Sequence, residues 1–386
     1  MDLLAQLNAN LAPGPAYEDD VGAPSGMRPP VRAIAFYLPQ FHPIPENDAA
    51  WGKGFTEWTN VTRALPRFVG HYQPQLPGPL GFYDLRQPGV LRQQAALARR
   101  YGIGGFCFHY YWFGGKRLLE TPLNLLLADP GIDLPFCINW ANESWTRRWD
   151  QRDRDIIQEQ RHSPADDVAF AEALAPIVRD PRYIRIDGRP LVAIYRPDLL
   201  PSPKATVQRW RAVFAALRLG DPYIAMCHAF EATDPRKYGM DAAIGFPLHV
   251  VGVTPEITAS ARRLDPNFKG RIRSYQAMAD KACALPLAPY AFFHGVCPGW
   301  DNEARQPARG VCYAGASPKA YGAWLSWAAR RALAERTGEA RIVFVNAWNE
   351  WAEGAHLEPD RHFGYAYLAE TARVLAALGA QEEVST

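Results

Sequence analysis

The sequence predicts an α/β fold, a single (β/α)8 barrel of the TIM type with long loops after its strands. Two observations carry this. Eight short apolar runs recur between residues 31 and 348, and most are separated by amphipathic or alanine-rich stretches. Strands that are apolar throughout, alternating with helices, belong to a parallel sheet covered by those helices. Side chains able to do chemistry also gather at the C-terminal ends of the runs, while the starts are bland. A barrel puts its chemistry on that face.

Residues 1–30 hold Pro13, Pro15, Pro24, Pro29 and Pro30 and read as an irregular N-terminal arm. The barrel then occupies residues 31–380, and 381–386 are a tail. The expected strands are Val31–Leu38, Ile103–Tyr110, Leu134–Trp140, Leu191–Tyr195, Tyr223–His228, Ala242–Phe246, Tyr290–Val296 and Ile342–Trp348. Each has the length and the β-branched or aromatic content of a buried strand. Expected helices cover Gly89–Arg100, a segment opened by Ser163-Pro164, and Lys204–Leu217, Ile272–Ala284, Pro318–Arg336 and Tyr365–Leu378. Ser163 supplies a cap, and Pro164 suits a first helical turn. The glycines at Gly102-Ile103-Gly104-Gly105 precede their strand, the wrong side for a nucleotide fingerprint.

The chain has 386 residues, of which 48% are apolar, enough for a large core. Its net charge of +2 comes from interspersed acids and bases, which excludes a nucleic-acid stripe. No apolar run reaches the length of a membrane span. Met1-Asp2-Leu3-Leu4 leads into no apolar leader core, so a cytoplasmic location is expected. Six cysteines show no zinc spacing, and Cys107, Cys137 and Cys227 sit in apolar runs that suit buried thiols. No cofactor or metal is expected. Aromatics make up 12% of the chain, and many of the tryptophans lie in polar loops, where flat faces suit pyranose rings.

The most informative stretch follows the last apolar run: Asn346-Ala347-Trp348-Asn349-Glu350-Trp351-Ala352-Glu353-Gly354. In a tight turn, carboxylates three residues apart project to the same side, roughly 5–6 Å apart at Cβ. Such a pair is the minimum equipment for glycoside chemistry. The plain alternative is a capped helix start with two solvated glutamates.

Several long motifs bear a family resemblance. They are Ala35–Asn47, Trp51–Val61, Gly81–Arg86, Phe108–Phe113, Asn139–Trp149 and Asn346–Glu358, together spanning residues 33 to about 370. The chain resembles the glycoside hydrolase family 99-like barrels, in particular the WbsX branch. Those bacterial proteins are linked to O-antigen and other surface polysaccharides and are usually labelled glycosyltransferases. The resemblance implies a glycan substrate. It also implies that the hydrolase family's Glu-Trp-x-Glu pair maps onto Glu350 as general base and Glu353 as general acid. The base would deprotonate the sugar's 2-hydroxyl, which attacks its own anomeric carbon to give an anhydro-sugar and net retention. The Trp51–Trp58 and Asn139–Trp145 blocks look like WbsX and not like the endo-mannosidases.

Candidate substrate-binding residues at the remaining strand ends are Tyr37, Gln40, His42, His109, Tyr110, Trp112, Asn139, Trp140, Asn142, Glu143, Trp145, His228 and His294. Trp300, Asp301, Trp348, Asn349 and Trp351 join them from the last two loops. Glu143 could equally pair with Arg147 or Arg148, His42 could staple its loop, and Asp301 could form an Asx turn. Glu57 and Trp58 either border the cleft or pin their loop. The leading reading is a retaining glycosidase on a bacterial surface polysaccharide. A glycosyltransferase is second, although Asp153-Arg154-Asp155 is expected to be a solvated charged loop and not a metal motif. A non-catalytic glycan-binding barrel is third.

Overall fold

The computed structural model describes residues 2–385 apart from 25, 148, 150, 151, 231 and 252. The Asp153 side chain also lies outside the described residues.

Eight parallel strands form one sheet: β1 (Arg32–Tyr37), β2 (Ile103–Phe113), β3 (Phe136–Trp140), β4 (Arg189–Ile194), β5 (Tyr223–His228), β6 (Ala242–Gly245), β7 (Ala291–Phe293 and Gly295–Val296) and β8 (Ile342–Val345). Each pairs with its neighbours in chain order, and β8 pairs with β1. The seventh strand breaks at His294. Its first piece pairs with β6 and its second with β8, which closes the barrel. Most of the connections carry helices: Pro88–Arg100, Thr121–Ala128, Pro164–Val178, Pro203–Ala216, Tyr275–Cys283, Pro318–Glu335 and, after β8, Ala366–Ser385. Among the described residues, the helical part of the β5–β6 connection is a single tight turn, Pro235–Tyr238.

Local chemistry sets several of these boundaries. Ser163, Ser274 and Ser317 each accept a hydrogen bond from the amide three residues on, a standard helix cap. The helix expected from Ile272 therefore starts at Tyr275, because Arg271–Ser274 is a strand paired with Val311–Ala314. The segment holding Asp153-Arg154-Asp155 is also a strand, Arg152–Gln158, paired with Trp145–Arg147.

The ends of the chain differ from expectation too. Leu3–Leu11 is a helix capped by Asp2, inside the stretch read as irregular. Its buried residues are Gln6 and Asn10, both polar, so hydrophobic periodicity could not reveal it. At the other end the last helix continues through 385, where a tail was expected.

Side chains along each strand alternate between the barrel interior and the helix layer. Phe36 meets His109, Phe246 and Phe344 inside the barrel at ring-centroid distances of 5.4–5.6 Å. Cys107, Cys137 and Cys227 are buried free thiols. No helix among the described residues is long and apolar enough to cross a membrane.

Strands β6 and β7 approach closely through paired glycines. A Cβ built on Gly295 would lie 1.7 Å from the Gly245 carbonyl oxygen. That contact is with backbone, so no rotamer can relieve it. Gly295→Ala is expected to destabilise the protein by about 1–3 kcal/mol or more, the usual cost of overpacking. Thermal melting checks this, and an unchanged midpoint would mean that the two strands can separate freely.

Candidate active site

The chain leaves β8 through a cis Asn346–Ala347 peptide bond and folds back over the barrel mouth. Asn349 fastens this return to β1: its Oδ1 accepts from the Leu38 amide at 2.7 Å and its Nδ2 donates to the Leu38 carbonyl at 3.0 Å. Asn349–Glu350 then pairs antiparallel with Ala355–His356 around one tight turn, Trp351–Glu353. Gly354 ends the turn with φ of 58°, a conformation that favours glycine. Beneath it Trp351 stacks on His356 at 3.7 Å and donates to Glu358 at 2.7 Å. The turn presents Glu350 and Glu353 to a cleft of about 410 Å³ at the C-terminal ends of the strands.

Arg305, from the loop after β7, holds these carboxylates together. One guanidinium nitrogen contacts Glu353; the other donates to Glu350 at 3.2 Å and to Glu57 at 2.9 Å. Glu57 is fully buried and also accepts from Asn60 at 3.2 Å. Burial works against the charge of Arg305, yet Glu57, Glu353 and Glu350 hold it firmly protonated. Burial, then the Glu353 charge, push the pKa of Glu350 up to about 8, against the pull of Arg305. Burial raises Glu353 as well, and Arg305 opposes it. His109 lies 3.8 Å from Glu350, and burial followed by the Arg305 charge lowers its pKa to about 4. It therefore faces the pair as a neutral ring at pH 7.

Of the residues singled out from sequence, Gln40, His109, Glu143, Trp145, Trp300, Glu350 and Glu353 line this cleft. Gln40 donates to the Tyr111 hydroxyl at 3.0 Å, and Tyr111 packs edge-on against Trp145. Glu143 is paired with Arg196 at 2.7 Å, a partner from the loop after β4. Arg148, one of the partners expected from sequence, lies outside the described residues. Asn139 sits below the cleft against His109 Nδ1 at 3.4 Å.

Others lie elsewhere, and strand alternation explains most of them. Tyr37, Tyr110, Trp112 and Trp140 point into the helix layer: Tyr37 bonds Gln94 at 2.8 Å, Trp112 bonds Asp166 at 2.8 Å, and Tyr110 and Trp140 pack on Phe170. Their chain neighbours Phe36, His109 and Tyr111 take the interior phase. Trp348 is buried against Phe106, and Trp351 is buried under the turn. His294, at the break in β7, faces Glu335 at 3.2 Å and Trp327. His228 packs edge-on against Phe292. His42 bonds the Pro43 carbonyl as a loop staple. Asn142 holds Arg196 through both its amide N–H and its carbonyl, so it joins two loops.

Asp301 is buried behind the turn, with His71 at 2.6 Å and Gln73 at 2.9 Å on one oxygen. Cys312 completes a group whose ligand types suit a metal. The hydrogen bonds argue otherwise. His71 Nδ1 accepts from the Arg67 amide at 3.0 Å, so Nε2 carries the proton and donates to Asp301. A metal on Nε2 would require that proton to leave.

Sequence reasoning missed Arg305, Tyr111, Trp149, Tyr195, Phe230 and His249 in the cleft wall. Tyr111 was recoverable, because it shares its phase with His109. Arg305 was not, because its partner Glu57 is 248 positions away.

The family model described as glycosyltransferase WbsX matches residues 33–371. The chain belongs to that family. Uncharacterized protein WxcX from two strains of Xanthomonas campestris pv. campestris is 51% identical over 346 residues, 90% of this chain and 50% of the relative. The chain thus spans about half the length of these curated relatives. Among solved structures, the GH99 endo-alpha-mannosidase from Bacteroides thetaiotaomicron is 17% identical with a TM-score of 0.55, over 91% of this chain and 98% of that one. A glycoside hydrolase-like protein is 15% identical with a TM-score of 0.57, over 92% and 97%. At these identities the likeness is one of fold, and it agrees with the expected barrel.

The raised pKa of Glu350 has a consequence for stability. In the unfolded chain this carboxyl ionises near its ordinary value of 4.5, whereas in the folded protein it does so only near 8. Between those values the unfolded state gives up more protons, so the contribution of Glu350 becomes steadily less favourable as pH rises. Glu350→Gln removes that term. The variant is expected to melt above the parent at pH 8, with the gain fading toward pH 4. A gain of equal size at both pH values would contradict the assignment.

Proposed function

We propose that this protein is a retaining glycosidase acting on a bacterial surface polysaccharide or O-antigen-type glycan, with Glu350 and Glu353 as its acid–base pair. The observation that carries the reading is the pair itself: the buried Glu350 and the half-buried Glu353, bridged by Arg305 at the barrel mouth and facing a cleft walled by Trp51, Trp145, Trp149 and Trp300. Apolar ring faces match the faces of pyranose rings, and carboxylates match their hydroxyls.

In the proposed reaction Glu353 protonates the leaving oxygen. Glu350 takes the proton of the 2-hydroxyl, whose oxygen attacks the anomeric carbon as the glycosidic bond breaks. Water then opens the anhydro-sugar from the opposite face, and the two carboxyls exchange roles. Two inversions give net retention. In the unliganded cleft burial raises both members and Arg305 opposes it at each, so the pair can hold a proton for the leaving oxygen near neutral pH.

The family description names a glycosyltransferase, and that is the second reading. A transferase using a nucleotide-sugar needs a counter-charge for its diphosphate. Among the described residues lining the cleft, Arg305 is the one arginine or lysine, and three carboxylates already occupy it.

Paired substitutions test the roles. Glu353→Gln is expected to slow cleavage of substrates with poor leaving groups by about 10²–10⁴-fold, while sparing those with activated aryl groups. Glu350→Gln is expected to impair both kinds. Equal losses for both variants on both substrates would reject the division of roles. Full activity in either folded variant would reject the site.

A further inference from the structure

We propose that His71 and Asp301 form a positioning pair for Glu353, locked in place from outside the barrel by Asn10 of the N-terminal helix. The assignment of Glu353 as a working carboxylate rests on the proposed function, but the tether itself is a matter of geometry.

The Glu353 turn is tied to the loop after β7 through its backbone. The Asp301 amide donates to the Glu353 carbonyl at 2.7 Å. Gly354, one residue on, leaves no room there: a Cβ at that position would lie 3.0 Å from the Asp301 side chain and 3.1 Å from the Asp301 amide. Asp301 therefore fixes where the turn sits. Its carboxylate is held in turn from three directions. His71 Nε2 and Gln73 Nε2 donate to one oxygen, and the Glu303 amide donates to the other at 3.0 Å.

The loop carrying His71 and Gln73 is fastened by a helix remote in sequence. Asn10 Nδ2 donates to the carbonyls of both His71 and Gln73, each at 2.8 Å. Gln6 orients that amide by donating to Asn10 Oδ1 at 2.9 Å, and Gln6 Oε1 accepts from the Gly70 amide at 2.8 Å. Both amide side chains are buried, Asn10 to 4% exposure, on a helix that has no other buried residue. Buried polar groups are costly unless satisfied, so a helix docked through two of them is docked in one register.

Packing alone would not supply this definition. Behind the turn lies a second cavity of about 100 Å³, bordered by His71, Trp300, Asp301, Gly354 and His356. A turn backed by open space can recede unless it is tethered. The hydrogen-bonded line from Asn10 through His71 and Asp301 to Glu353 spans that space.

The test uses the full chain and needs no substrate. His71→Phe keeps a flat ring against Phe68 but cannot donate to Asp301; His71→Gln restores a donor; Asn10→Asp removes both donors at constant size. Each protein is treated with a water-soluble carbodiimide and an amine, and modification at single carboxyls is read by peptide mass spectrometry. Glu143 lines the same cleft from another loop and is the internal control. With the turn released, Glu353 is expected to label several-fold faster in His71→Phe and Asn10→Asp, with Glu143 unchanged and His71→Gln close to the parent. A crystal structure of Asn10→Asp should show the Glu353 carbonyl away from the Asp301 amide. Unchanged Glu353 labelling in both variants, or parallel rises at Glu353 and Glu143, would overturn the proposal. So would a variant crystal structure with Glu353 unmoved. Failure here leaves the Glu350 and Glu353 assay untouched, so the two ideas stand or fall separately.

Discussion

The guanidinium of Arg305 is what allows two buried carboxylates, Glu57 and Glu350, and the half-buried Glu353 to lie together at the mouth of the barrel. Each would otherwise lose its water with nothing in exchange, a cost of several kcal/mol per ion. A planar guanidinium with five donors can face several acceptors at once, which an ammonium on a flexible stem does less well. Here it reaches Glu57, Glu350 and Glu353 from one position. One positive charge cannot neutralise three negative ones, so the cluster holds a proton near neutral pH. Burial and the neighbouring carboxylate charges raise both Glu350 and Glu353 toward the protonated form. A site that stores a proton between two carboxyls is poised for acid–base work, and the folded state gives up stability to keep it so.

The barrel was legible in the sequence because its evidence is local. A buried strand is a short apolar run, and eight such runs in series leave few alternatives. The Glu350 and Glu353 pair was legible for the same reason, since both residues sit in one turn. Side-chain direction was less accessible. Tyr37, Tyr110, Trp112 and Trp140 are chemically suited to a sugar site and stand at the right ends of their strands. They face the helices only because each stands one position out of phase with an interior residue of its own strand, Tyr37 with Phe36, Tyr110 and Trp112 with His109 and Tyr111, and Trp140 with Asn139. One buried interior residue per strand would have settled the phase. The break at His294 removes even that guide on β7.

Asparagines at strand ends carry a related lesson. Asn142 and Asn349 read as sugar ligands, yet each uses its donor and its acceptor on a neighbouring backbone. A carboxamide presents the same donor and acceptor as a peptide group, so it can stand in for a strand partner where no strand continues. Such clamps join the loop after β8 to β1, and the loop after β3 to that after β4. The cleft is therefore shaped by loops that are fastened to one another as well as to the barrel, and sequence separations of 54 and 311 positions hide those joints.

Charge separates the two enzymatic readings better than fold does, because one barrel can host either chemistry. A nucleotide-sugar donor brings a diphosphate, and proteins hold diphosphates with free cations, helix N-termini or bound metal. The cleft carries Glu143, Glu350 and Glu353 on its walls, while Arg305 is engaged from behind by Glu57. His109 and His249 are both neutral at pH 7, since burial and a nearby arginine lower each pKa to about 4. Among the described residues lining the cleft, a diphosphate would meet acids, uncharged rings and the already engaged Arg305. A neutral sugar would meet hydrogen-bond acceptors for its hydroxyls and aromatic faces for its ring. Among the described residues, the charges lining the cleft thus support the proposed glycosidase reading over a donor held by its phosphates.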